Sequence, residues 1–161
     1  MNRLDRLMLL TMDFFRGDAR RIQHLTKVHA YAALIGRMEG LDEAAQAIVE
    51  ASAIVHDVGI KPAEAKYGSC GGKLQEELGP AEARTLLTAA GYTPAETERV
   101  AWLVGHHHTY NPIEGMDHQI LVEADFLVNL HEDGCSPEAI QRTLDTIFRT
   151  ESGRQLCQTM F

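Results

Sequence analysis

Eight histidines, three of them consecutive, and a few carboxylates set in apolar stretches are the residues of this chain whose types and spacing could do chemistry. Asp125 stands in Ile120-Leu121-Val122-Glu123-Ala124-Asp125-Phe126-Leu127-Val128, with Leu121, Val122 and Val128 at i−4, i−3 and i+3. A carboxylate on that helix face is buried, and a buried charge must be paired or bind a metal. No Lys or Arg lies in the helix, which favours the metal over an ion pair. His56-Asp57 ends another apolar stretch (Ala51, Ala53, Ile54, Val55) just before Gly59. Adjacent helical residues point about 100° apart, but at the last turn of a helix both can swing toward one ion. The helix dipole also disfavours a plain surface anion at that end. His24 lies close to the apolar stripe of its own helix, four before Val28. Taken alone it reads as a partly buried histidine with a backbone partner. The run His106-His107-His108 ends a helix whose apolar face is Val100, Leu103 and Val104. It is either a solvated helix end or the source of one or two imidazole ligands. Nitrogen and oxygen donors without thiolate suit Fe, Mn, Zn, Co or Ni. Cys70 has no evident catalytic partner, a P-loop and a dinucleotide fingerprint are absent, and Gly71-Gly72 is a loop signal only.

Helices must position these residues, because apolar positions recur by three and four almost throughout. A first helix spans residues 2–15 and stops at Gly17. Asp18 caps a second to about residue 38, and Asp42 caps a third that runs to His56 and Asp57. Residues 58–72, with Gly59, Pro62, Gly68, Gly71 and Gly72, read as a long loop of the kind that serves active sites. Pro80 opens a helix that Gly91 closes, and Thr93-Pro94-Ala95-Glu96 is a capping box leading to the His run. Asp117 caps a helix over residues 118–131, and Ser136-Pro137 starts the last long one, to about residue 148. Gly153 precedes a short apolar tail. No segment alternates with period two for long enough to predict a strand.

The chain has 161 residues, which predicts one domain. Folding a chain of that size removes roughly 70% of its extended surface from water, enough for a core without disulfides. Fifteen Lys and Arg against 23 Asp and Glu leave a net charge of −8, which argues against long nucleic acids and anionic membranes. No apolar run approaches the ~18 residues of a spanning helix, and the N-terminal stretch lacks a signal-peptide cleavage site. Cys70, Cys135 and Cys157, scattered and odd in number, point to a reducing cytoplasm.

The ordered set His24, His56-Asp57, His107 and Asp125, on successive helices between residues 18 and 130, resembles the HD-domain superfamily of metal-dependent phosphohydrolases. Arg21-Ile22-Gln23-His24-Leu25-Thr26-Lys27-Val28 looks like its first-ligand helix, and Ala53-Ile54-Val55-His56-Asp57-Val58-Gly59 like its namesake helix and turn. Val104-Gly105-His106-His107-His108 resembles its later His element, and Glu123-Ala124-Asp125 its final Asp element.

The resemblance implies an all-α, compact multi-helix bundle over residues 1–161, with a divalent transition metal held between helices by His24, His56, Asp57 and Asp125. Asp57 would bridge two metals or orient water. Lys61 would contact a phosphate, although it is displaced by one from the commonest family pattern, and Arg20 and Arg21 are weaker phosphate candidates. Gln75 stands where dinuclear relatives offer an imidazole, and no His lies between His56 and His106. The expectation is therefore one tightly held ion, with a second site at most partly occupied, built from Asp57 and two of His106, His107 and His108. His107 best matches the family's late histidine. No Gly-Tyr-Pro element follows the His run, which argues against cyclic-dinucleotide phosphodiesterases of that subtype. The implied activity is hydrolysis of a small phosphorylated metabolite or nucleotide, as a phosphomonoesterase or phosphodiesterase. The alternatives are an HD-type di-iron oxygenase and a non-catalytic metal- or ligand-binding regulatory module. A homo-oligomer is compatible with all three.

Overall fold

The computed structural model describes residues 1–161, and every regular element in it is a helix, as the periodicity requires. In chain order these are α1 (Arg3–Phe14), α2 (Ala19–Met38), α3 (Glu43–Val55), α4 (Ile60–Tyr67), α5 (Gly72–Ala90), α6 (Pro94–Val104), α7 (Met116–Glu132), α8 (Pro137–Thr146) and α9 (Glu151–Met160). The expected caps are in place. Asp18 accepts from the Arg21 N–H, Asp42 from Ala45 and Ser136 from Ala139, and Thr93 and Glu96 form the reciprocal box. Each satisfies N–H groups that the first helical turn leaves without partners.

Four expectations need correction. Residues 58–72 are not one loop, because α4 lies inside them. Pro62 is the third residue of α4, in the first turn, where a missing N–H costs nothing. Pro80 does not open a helix but lies inside α5, which starts at Gly72. An interior proline removes a hydrogen bond, yet α5 continues through it, with close packing around that turn. A Cβ on Gly79 would lie 2.7 Å from Val104 Cγ1, and one on Gly105 would lie 3.3 Å from Pro80 Cγ. Helix α7 is capped by Gly115 rather than Asp117, whose carboxylate instead accepts from the Arg99 guanidinium at 2.7 and 2.8 Å. The tail after Gly153 is helical, since α9 begins at Glu151 under a Thr150 cap. Glu123 of α7 holds that start by accepting from Thr150 Oγ1 at 2.7 Å and from the Thr150 N–H at 3.1 Å.

Two apolar clusters meet across α3. One joins Val28, Ala32 and Ile35 of α2 to Val49 and Ala53 of α3 and to Leu121, Ala124 and Leu127 of α7, with Phe148 behind them. The other joins Leu7 of α1, Ile54 and Val55 of α3, Ala83 and Leu87 of α5, and Val100 and Val104 of α6. Because α3 packs against α2, α6 and α7, the histidines that follow α3 and α6 meet beside His24 of α2 and Asp125 of α7. No helix is long and apolar enough to cross a membrane.

Candidate metal centre

His24 (α2), His56 and Asp57 (the turn after α3) and Asp125 (α7) converge on one point. His24 Nε2 lies 3.2 Å from His56 Nε2, 3.3 Å from Asp57 Oδ2 and 3.2 Å from Asp125 Oδ1. His56 Nε2 lies 3.4 Å from Asp57 Oδ2 and 3.5 Å from Asp125 Oδ1. His24, His56 and Asp125 are buried, and Asp57 is partly so.

The outward nitrogens of the rings fix what the inward ones can be. His56 Nδ1–H donates to the Ala53 carbonyl at 2.7 Å, and His107 Nδ1–H to the Val104 carbonyl at 2.7 Å. Both acceptors lie three residues back, in the last turn of the helix that each ring follows. His24 Nδ1–H donates to Glu132 Oε1 at 3.1 Å, and Glu132 is itself held by Lys27 Nζ at 2.9 Å. With each Nδ1 proton committed outward, each Nε2 presents a lone pair inward. The inward nitrogens of His24 and His56, at their separation, cannot both carry protons. A single cation satisfies both lone pairs and both carboxylate oxygens together. His107 Nε2 is fully buried, has no hydrogen-bond partner, and faces Asp57 Oδ1 at 3.5 Å. These residues fit a bound metal ion.

The electrostatics make the same demand. Burial opposes a charge on His56, yet Asp57 and Asp125 hold its pKa well above the ordinary imidazole value. Burial likewise works to raise Asp57 and Asp125, but His56 and neighbouring rings pull both below the usual carboxylate range. The pocket draws positive charge toward two carboxylates that stay ionised. Asn129 adds a donor from outside, with its amide 2.9 Å from Asp125 Oδ1.

The remaining candidates separate. His107 belongs to the cluster. His108 lies beside it, and Asp57, His107 and His108 present ligand atoms all within 4.8 Å of one another. Gln75 is tied to His108 instead of replacing it. The amide donates to the Cys70 carbonyl at 2.6 Å, and Oε1 therefore accepts from His108 Nε2–H at 2.9 Å. Burial pushes the His108 pKa down to about 4, so this ring is neutral. His106 faces away from the centre, stacked on Trp102 with centroids 3.9 Å apart and donating to the Trp102 carbonyl. Lys61 does not reach the cluster; its Nζ donates to the Phe14 carbonyl at 2.6 Å and lies over the Phe14 ring. Arg20 and Arg21 line the cleft of about 560 Å³ above the cluster. Arg21 is held there by Asp18 at 2.7 Å and Glu64 at 2.5 Å.

Asn129, Glu132 and His118 were not anticipated from the sequence. His118 is buried, donates to the His106 carbonyl at 2.8 Å and accepts from the Glu114 N–H at 3.0 Å, which pins the His run. The one available signal was periodicity, since Asn129 and Glu132 follow Asp125 by four and seven on the same face of α7.

The sequence pattern of the HD domain family matches residues 21–144, which contain every residue of the cluster. A crystal structure of a predicted HD superfamily hydrolase from an uncultured Thermotogales bacterium superposes with a TM-score of 0.69 at 24% identity. The match covers 98% of this chain and 84% of that one, and it shows a shared fold. No curated protein sequence matches the chain.

Proposed function

From the premise that the chain belongs to the HD-domain family, we propose that it is a metal-dependent phosphohydrolase acting on a small phosphorylated metabolite or nucleotide. The observation that carries this reading is the convergence of inward Nε2 lone pairs with two ionised carboxylates. His24, His56, Asp57 and Asp125 are the residues that would hold the ion. A divalent ion bound there supplies Lewis acidity toward a phosphoryl oxygen and makes water acidic enough to attack near neutral pH. The protein's own share is orientation. Ala53, Val104 and Glu132 fix the ring tautomers, and Asn129 steadies Asp125. Asp57 directs one oxygen to the His24–His56 pair and the other toward His107, so it can order a water beside the ion.

The commitment of His108 and Gln75 to each other supports one tightly held ion. Only Asp57 Oδ1 and His107 Nε2 then remain for a neighbouring one. A second reading, a di-iron oxygenase, draws on the Asp57–His107–His108 grouping. The test is phosphate release from a panel of phosphomonoesters and phosphodiesters by the metal-loaded protein, with oxygen uptake followed in parallel. Turnover that Asp57→Ala and Asp125→Ala abolish supports the phosphohydrolase. Oxygen uptake without phosphate release supports the oxygenase. Ligand binding without either supports a regulatory module.

A further inference from the structure

The metal cleft shares Asp18, Arg20 and Arg21 with an adjoining cavity of about 630 Å³. The two differ in charge. Carboxylates dominate the cleft, whereas Arg16, Arg20, Arg21 and Lys61 face only Asp18 and Glu64 in the annex. That is a local cationic excess on a chain of net charge −8.

Three of these cations are already engaged. Arg21 pairs with Asp18 and Glu64, Arg16 pairs with Asp13, and Lys61 donates to a backbone carbonyl. Arg20 is exposed and has neither an ion-pair nor a hydrogen-bond partner. It precedes the cluster's His24 by four residues on α2. Residues at that spacing share a helix face, with Cβ atoms about 5–6 Å apart. The free guanidinium therefore stands at the junction of the two cavities, one helical turn from the cluster. No Phe, Tyr or Trp lines the metal cleft, so charge and hydrogen bonds must recognise the rest of a substrate there.

Resting on the phosphohydrolase reading, we propose that the substrate carries two anionic groups: a phosphoryl group held at the metal and a second group, phosphate or carboxylate, held by Arg20 in the annex. Lys61 and Arg16 add positive potential behind it. A guanidinium with no internal partner binds such a group without first breaking an ion pair, and its planar fork matches both kinds of oxyanion.

The test is calorimetric binding of two non-hydrolysable probes, propane-1,3-diphosphonate and n-propylphosphonate, to the metal-loaded full chain and to its Arg20→Met and Arg20→Lys variants. The diphosphonate is expected to bind the wild type about tenfold or more tightly than the monophosphonate. Arg20→Met is expected to remove that advantage and Arg20→Lys to restore part of it. Equal affinities in the wild type, or an advantage that survives Arg20→Met, would overturn the proposal and leave the phosphohydrolase reading standing. Failure of both probes to bind the metal-loaded wild type would overturn both.

Discussion

At the residue scale, the centre depends on hydrogen bonds made outside it. Glu132 and Asn129 hydrogen-bond His24 and Asp125, two of the proposed ligands. Partners of that kind typically change metal affinity 10- to 100-fold. Glu132→Leu and Asn129→Leu are each expected to weaken metal binding by about that factor, measured by competition against a chelator. An unchanged affinity in both would show that the ligands need no such support. The histidine run separates by the same logic. His107→Ala is expected to have the largest effect on metal content and His106→Ala the smallest, since His106 packs on Trp102 instead. Elemental analysis of the His106→Ala, His107→Ala and His108→Ala variants ranks them, and a dominant effect of His106 would contradict the assignment. Asp125 and His56-Asp57 were legible in the sequence because polar side chains in apolar helical stretches demand an explanation. Glu132 was not, because a charged residue in the last turn of a helix reads as solvated until its tertiary partner His24 is known.

At the element scale, the turn that carries His56 and Asp57 is held by backbone pressed against backbone. A Cβ on Gly59 would lie 2.5 Å from the Gln75 carbonyl oxygen and 2.9 Å from the Gly79 nitrogen. Neither atom can move without shifting α5. Gly59→Ala is expected to destabilise the fold by about 1–3 kcal/mol, the range for overpacking a close contact, and to weaken metal binding at the adjacent Asp57. The denaturant midpoint measures the first effect, and a midpoint equal to wild type would contradict the contact. The same contact explains why α4 and the first part of α5 were hidden in the sequence. Glycines at 59, 71, 72 and 79 and prolines at 62 and 80 read locally as a loop. Here Gly59 and Gly79 serve close approach, and both prolines are tolerated inside helices. The helices whose caps stand in the sequence, such as those begun by Asp18, Asp42, Thr93 and Ser136, needed no tertiary information. Helix α9 did, because its start leans on Glu123 of α7 as well as on its own Thr150.

At the scale of the whole molecule, the acidic chain is tied together by a few long-range ion pairs. Arg3 of α1 and Glu96 of α6 form a two-pronged pair at 2.7 Å for each bond, on the residue that also completes the α6 capping box. The Arg3 hydrogen bonds hold the Glu96 carboxyl down at about 2, against an ordinary value of 4.5. The folded chain therefore binds fewer protons than the unfolded one across that window. The contribution of the pair is complete above the ordinary value and is lost as pH falls toward about 2. Glu96→Gln is expected to lower stability near neutral pH by about 1 kcal/mol or less, because the pair is partly exposed. The difference from wild type should vanish at the acid end, where the native carboxyl is also protonated. Thermal unfolding across that range checks both the size and the sign, and a difference that grows toward low pH would contradict the pairing.

The proposed centre holds one divalent ion among His24 Nε2, His56 Nε2, Asp57 Oδ2 and Asp125 Oδ1. Anomalous diffraction from crystals of the metal-loaded protein, recorded at the absorption edge of the bound element, tests it directly. The expected result is a single strong peak bounded by those four atoms, with at most a weaker one beside His107 and Asp57 Oδ1. No peak among the four atoms would contradict the metal centre. Two fully occupied peaks about 3.5–4 Å apart, the spacing of two-metal hydrolases, would contradict the single-ion account.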